Sequence, residues 1–259
     1  PELEKSGFTD PKIKIYSDND IMIIINQIID ELKPSFTNQD LRKYISNIKN
    51  EVALNLESTL QEAQVLKCFK TYKNALKERN AIDLDDILYY FKLALNDEIF
   101  KERLNFKYIM VDECQDTNPV QYEIIKALRG KENNVFMCGD DDQSIYAFRG
   151  ADPFLIKRYK DDFHPEEIIL TKNYRNTKRI LSSSLNLISN NNHRVIKNYS
   201  SVRKMDAVLE VISCNFNRQE GLQIASIIKQ FHQHGYNYKA IAVLFRNHNI
   251  VEHLEPYLL

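Results

Sequence analysis

The sequence contains no tryptophan, only six glycines, and four cysteines in 259 residues. Cys68, Cys114, Cys138 and Cys214 lie far apart and form no C-x-x-C pair. That spacing argues against a zinc site or a disulfide framework and fits a reducing compartment. Net charge is nearly absent too, since 35 Lys and Arg face 36 Asp and Glu and leave -1. Any nucleic-acid contact must therefore be a local patch. The longest apolar run starts at Ile21 and is broken at Asn26 and Gln27, too short to span a bilayer. No secretory signal is visible. A phosphate-binding loop of the form G-x-x-x-x-G-K-[ST] is also missing. The single Gly-Lys, Gly130-Lys131, is followed by Glu132, and Ile125 stands where the first glycine belongs.

Apolar residues make up 43% of the chain, enough for a core. Residues 1 to about 80 read as helices. Asp18 or Asp20 can cap a helix that stops before Pro34, and Thr37 with Asp40 forms a capping box for the next. A long amphipathic helix is expected over "LNLESTLQEAQVLKCFKTYKNALKERN", with Leu56, Leu60, Ala63, Leu66, Phe69 and Ala75 near helical spacing. From about residue 105, strands alternate with helices. "FKYIMV" reads as a buried strand, "NVFMCG", "EEIIL", "AVLEVISC" and "AIAVLF" as further strands. That alternation argues for parallel α/β units. "SNNNHRVIKNYSS" reads as an exposed polar link with no chemistry of its own.

Three polar clusters carry the chemistry. In "YIMVDECQDTN", Asp112 and Glu113 sit at the carboxyl end of a strand, where ligands bind in open parallel sheets. One carboxylate suits Mg²⁺ and the other its neighbouring water. Alone, the pair reads equally well as an acidic cap. The succession Gln115, Asp116, Thr117, Asn118 after a buried strand is costly unless it forms a network. In "GDDDQSIYAFRGAD", Gly139 permits a tight turn and Gln143 can touch a phosphate or its attacking water. Tyr146, Phe148 and Arg149 suit single-stranded nucleic acid, because bases stack on rings and arginine pairs with phosphate. The alternative is that the two rings are core residues. In "LTKNYRNTKRIL", Asn173 or Asn176 can cap a helix, Tyr174 can stack on a base, and Arg175 can stabilise phosphoryl charge or simply pair on the surface. His232 and His234 lack a nearby carboxylate or Cys ligand and read as surface residues.

Taken together, these clusters resemble motifs two, three and four of the UvrD/Rep/PcrA group of superfamily-one DNA helicases. "DLDDIL" at Asp83 resembles the "DFDDLL" segment of that group, and "AIAVLFRNHNIVEHLEPYLL" resembles the stretch before its second inserted domain. The resemblance implies an α/β fold of incomplete RecA-like motor domains with a mostly helical inserted N-terminal segment. It divides the chain into residues 1–82 (part of the inserted domain), 83–164 (end of the first motor domain) and 165–259 (start of the second). It assigns Mg²⁺ to Asp112 and the hydrolytic water to Glu113. Gln143 senses the γ-phosphate of ATP, Tyr174 stacks on adenine, and Arg175 meets the γ-phosphate. Tyr146, Phe148 and Arg149 contact single-stranded DNA, with Phe148 where the family usually has tryptophan. ATP and Mg²⁺ are the implied cofactors, single-stranded and duplex DNA the partners, and an intracellular site with DNA the location, without a membrane.

The implied function is ATP-driven 3′ to 5′ translocation on single-stranded DNA and unwinding of duplex DNA. Two alternatives are a nuclease-linked subunit of the RecB/AddA kind and a non-catalytic DNA-binding remnant. "DDDQSIY" favours the first reading over the nuclease-linked one, and retention of Asp112, Glu113, Gln143 and Arg175 argues against the remnant. Because no phosphate loop is present, the chain is expected to begin after it. We predict that the isolated 259 residues neither hydrolyse ATP at a useful rate nor unwind DNA. DNA-stimulated turnover by this polypeptide, lost on Glu113→Gln, contradicts that expectation.

Overall fold

The computed structural model describes residues 8, 12–104, 106–129, 134–146, 150–152, 154–191, 194–245 and 249–258. These form two compact units. One comprises the described residues up to Leu170 together with Ile188–Asn198. The other comprises Thr171–Leu187 and the described residues from Tyr199 onward.

The first unit opens with β1 (Lys14–Ile15) and three helices, α1 (Asp18–Leu32), α2 (Asn38–Lys49) and α3 (Thr59–Glu78). Ser17, not Asp18 or Asp20, caps α1. Its hydroxyl accepts from the Asp20 N–H while the Asp20 carboxylate reaches back to Ser17. Thr37 and Asp40 form the expected box on α2. The three helices bury Ile21, Ile24, Ile25, Ile28, Leu41, Ile45, Val65, Cys68, Tyr72 and Leu76 in one core. The buried face of α3 is therefore Val65, Cys68, Tyr72 and Leu76, whereas Leu60 and Leu66 are exposed. Of the other expected apolar positions, Leu56, Phe69 and Ala75 are partly buried against the same core.

After β2 (Ala81–Ile82), parallel to β1, the chain enters α4 (Leu84–Ala94). Asp83 caps α4 and shares a box with Asp86. Asp83 is fully buried, and so is the group that neutralises it. Lys49 Nζ lies 2.6 Å from Asp83 and 2.8 Å from Asp86, and the Tyr72 hydroxyl donates to Asp83 at 2.7 Å. Burial disfavours the Asp83 charge, yet Lys49 and Tyr72 outweigh it and hold the carboxyl below its usual range. The helical core and α4 are thus joined through a buried ion cluster.

Helix α5 (Glu98–Arg103) leads to β3 (Ile109–Val111), which pairs in parallel with β4 (Val135–Met137), with α6 (Pro119–Leu128) between them. One face of this pair meets α7 (Leu155–Phe163), where Cys114, Tyr122 and Leu155 are buried against Val111 and Met137. On the other face Tyr108, Met110 and Phe136 are exposed. The strand read as buried is therefore covered on one side only among the described residues.

The second unit contains β5 (Lys172–Asn173) parallel to β6 (Ser200–Ser201), α8 (Lys178–Ile188), α9 (Asn217–Gln233) and α10 (Asn249–Leu258). The strand expected at "EEIIL", in the first unit, and those expected at "AVLEVISC" and "AIAVLF", in the second, do not form among the described residues. Ile168, Leu170, Val211 and Leu244 are exposed instead. A strand exists only when a ladder partner satisfies its backbone, and these runs take part in none of the strand pairs among the described residues.

The buried ion cluster yields a stability prediction. Replacing Lys49 with methionine leaves two carboxylates buried without their cation, and we expect a loss of about 3–5 kcal/mol in urea unfolding. A change below about 1 kcal/mol contradicts that role.

Candidate functional site

At the ends of β3 and β4 the backbone does most of the positioning. Cys138 N–H donates to the Val111 carbonyl at 2.8 Å, and Cys114 N–H donates to the Cys138 carbonyl at 3.0 Å. The two loops are thereby locked side by side. Asp112 and Glu113 stand exposed at this edge. Glu113 adopts a left-handed backbone with φ 49° and ψ 42°. A non-glycine residue pays for that geometry, which is a feature concentrated at functional sites.

The expected network is present, and Gln115 is its centre. Gln115 is buried and splits its carboxamide between the two loops. Its Nε2 donates to Glu113 Oε2 at 2.7 Å, and its Oε1 accepts from the Asp140 N–H at 3.0 Å. Asp140 Oδ2 in turn accepts from Gln143 Nε2 at 2.8 Å. An unbroken path thus joins Glu113 to Gln143. Gly139 makes room for it. A Cβ there would lie 2.6 Å from both Cys114 Sγ and Gln115 Oε1. The glycine serves close approach between loops, and its φ is not positive. Asn118 completes the first loop. It caps α6 with Gln121 and donates to Asn50 at 2.8 Å, which fastens the loop to the end of α2.

The three carboxylates Asp140, Asp141 and Asp142 lie close enough to hold a cation. A protein ammonium fills that place. Lys197 Nζ bonds Asp140 at 2.6 Å and Asp142 at 3.2 Å, and it also bonds Asp141. Arg194 grips Asp142 with two bonds of 2.8 and 2.6 Å, and the Val195 N–H donates to Asp141 at 2.6 Å. Burial opposes charge on Asp140 and Asp142, but these bonds dominate and hold both carboxyls below their usual range. The segment read as a link without chemistry therefore supplies two cations to the loop. Three successive carboxylates were the available signal, because they demand counter-charges nearby.

Tyr146, three residues past Gln143, is 38% exposed. Phe148 and Arg149 lie outside the described residues. Tyr174 and Arg175 belong to the second unit, both exposed. Asn173 Oδ1 accepts from the N–H groups of Arg175 and Asn176 at 3.1 and 2.7 Å. It closes the turn that presents them, while α8 begins only at Lys178. Neither asparagine is the cap residue of that helix. His232 and His234 bond backbone carbonyls, and His232 stacks on Tyr238. Cys114 is buried, which pushes its thiol up to about 11 and leaves it unreactive.

A parallel strand pair thus presents adjacent carboxylates and a tethered glutamine at its carboxyl ends, the edge at which open α/β sheets take ligands. Comparison with known proteins identifies the family. The UvrD/REP helicase N-terminal domain matches residues 2–164, and the UvrD-like helicase C-terminal domain matches residues 168–259. The chain belongs to the UvrD/Rep helicase family. It is 34% identical to the ATP-dependent DNA helicase Rep of Buchnera aphidicola subsp. Baizongia pistaciae, over 98% of this chain and 39% of that protein. It is 32% identical to Rep of Escherichia coli, over 95% of this chain and 38% of that protein. The match to the ATP-dependent DNA helicase PcrA of Staphylococcus epidermidis is 31%, over 78% and 29% respectively. The chain thus spans about two-fifths of the length of the Rep relatives it matches.

The crowding at Gly139 generates a prediction. Gly139→Ala pushes the loops apart, with an expected cost of about 1–3 kcal/mol in urea unfolding. A variant as stable as the parent contradicts the close approach.

Proposed function

We propose that the chain is part of an ATP-dependent DNA helicase that couples ATP hydrolysis to 3′ to 5′ translocation on single-stranded DNA and to duplex unwinding. The observation that carries this reading is the path from Glu113 through Gln115 and Asp140 to Gln143, in a chain of the UvrD/Rep family. Its relatives are named as ATP-dependent DNA helicases. The DNA that their names give, and an intracellular setting, are part of the proposal for this chain. No helix among the described residues is long and apolar enough to cross a membrane.

Asp112 and Glu113 offer hard oxygen donors suited to Mg²⁺. Asp112 Oδ1 accepts only from the Glu113 N–H among the described residues, so most of its lone pairs face outward. The Asp140–Asp142 cluster does not suit the ion, because Lys197 and Arg194 occupy its oxygens. Asp112 is therefore the residue assigned to Mg²⁺, which when bound with ATP supplies charge neutralisation at the phosphates. Glu113 takes the proton of the attacking water as general base. Its tether to Gln115 fixes which oxygen stays free. Gln143 keeps its Oε1 and one N–H for water and phosphate oxygen. Tyr174 stacks on adenine and Arg175 stabilises the transferring phosphoryl group. Tyr146, Phe148 and Arg149 hold the single strand, so the glutamine and the DNA contacts share one stretch of chain. Residues 1–82 are assigned to an inserted helical domain, 83–164 to the first RecA-like motor domain and 165–259 to the second.

The test uses the full-length protein that contains this chain. Glu113→Gln is expected to lower kcat for DNA-stimulated ATP hydrolysis at least about a hundredfold while ATP still binds. Tyr146→Ala is expected to raise the DNA concentration for half-stimulation about tenfold. A parent protein without DNA-stimulated ATP hydrolysis, or a Glu113→Gln protein with parental turnover, overturns the reading.

A further inference from the structure

The acidic loop is held by cations that come from residues remote in sequence, and one of those cations touches the carboxylate that holds Gln143. We propose that Lys197 is a positioning residue for Gln143, acting through Asp140. The inference rests on the reading of Gln143 as the group that meets the terminal phosphate and its attacking water.

Three observations support it. Asp140 uses both oxygens, Oδ1 toward Lys197 Nζ at 2.6 Å and Oδ2 toward Gln143 Nε2 at 2.8 Å. An ionised carboxylate only accepts, so this contact sets which end of the Gln143 carboxamide faces Asp140. The Oε1 atom and one N–H are left for a ligand. Next, the Lys197 side chain is 10% exposed, and its ammonium contacts Asp140, Asp141 and Asp142. Without it, three neighbouring carboxylates face one arginine, and mutual repulsion favours separation of the carboxylates. Asp140 then turns away and the glutamine amide can rotate. Finally, the two bonds from Arg194 to the acidic loop both go to Asp142. Lys197 is therefore the cation, among the described residues, that is bonded to the carboxylate holding Gln143.

The chemistry at Gln143 does not require Lys197 to touch nucleotide. Its role is to keep a short loop in one arrangement, so its loss lowers turnover more than it weakens ATP binding. Arginine retains the charge and partly retains the bonds, whereas methionine retains the bulk alone.

The experiment compares Lys197→Met, Lys197→Arg and Asp140→Asn with the parent in the full-length protein. Lys197→Met is expected to lower kcat for DNA-stimulated ATP hydrolysis about tenfold, with KM for ATP within about twofold of the parent. Lys197→Arg is expected to recover most of that loss. Asp140→Asn is expected to lower kcat similarly, and adding Lys197→Met to it to cost less than about twofold more. Amide hydrogen exchange of peptides covering residues 139–146, measured without nucleotide, is expected to rise about fivefold in Lys197→Met and stay parental in Lys197→Arg. Parental exchange in Lys197→Met overturns the proposal, as does an additive loss in the double variant or a loss confined to KM. A parent protein without ATP hydrolysis counts against the helicase reading, while the exchange comparison still decides whether Lys197 holds the loop.

Discussion

The Gln115 carboxamide joins the two halves of the candidate site. It has one donor end and one acceptor end, and each is committed to a different loop. Glu113 on one side and the Asp140 backbone on the other are thereby fixed relative to each other. Burial makes the arrangement stiff, because a rotated amide would leave a donor facing a donor in a low-dielectric setting. Every other feature of the site serves this contact. Gly139 lets the loops approach, the β3–β4 ladder sets their register, and Asn118 ties the first loop to the end of α2.

Charge is handled differently in the two clusters. Asp112 and Glu113 are exposed and lightly engaged, as suits groups that receive a ligand. Asp140, Asp141 and Asp142 are neutralised from within by Lys197 and Arg194. By residue type and proximity the three aspartates could hold a cation. Their oxygens are instead taken up by Lys197, Arg194 and the Val195 N–H, and Asp140 also accepts from Gln143. A similar internal neutralisation operates at Lys49, Asp83 and Asp86, where it joins the helical core to α4. In each case a lysine bonds consecutive or near-consecutive aspartates at the start of a short helical segment.

Much of this was legible in the sequence. The boxes at Thr37 and Asn118 depend on residues three apart, and a local pattern suffices to find the first. The helices around residues 18–32 and 38–49 follow from apolar periodicity. The carboxylate pair at a strand end was visible from Asp112 and Glu113 themselves. Long-range pairing was not legible. Nothing near Lys197 advertises that its partners lie 55 to 57 residues away. Gln115 reads as one polar residue among four until the second loop is placed beside it. Of the apolar positions expected at helical spacing, Leu56, Phe69 and Ala75 pack against the core, whereas Leu60 and Leu66 satisfy the same spacing and face outward. The strands expected in the second unit illustrate the same limit, since an apolar alternating run becomes a strand only beside a partner.

The central claim is that the outward-facing carboxylates at the end of β3, and not the aspartate cluster after β4, receive the divalent cation. The direct measurement is an anomalous difference map from crystals of the full-length protein grown with Mn²⁺ in place of Mg²⁺ and a non-hydrolysable ATP analogue. The account predicts a peak beside Asp112, with Lys197 still seated among Asp140, Asp141 and Asp142. A peak among those three aspartates with Lys197 displaced, and none beside Asp112, would contradict it.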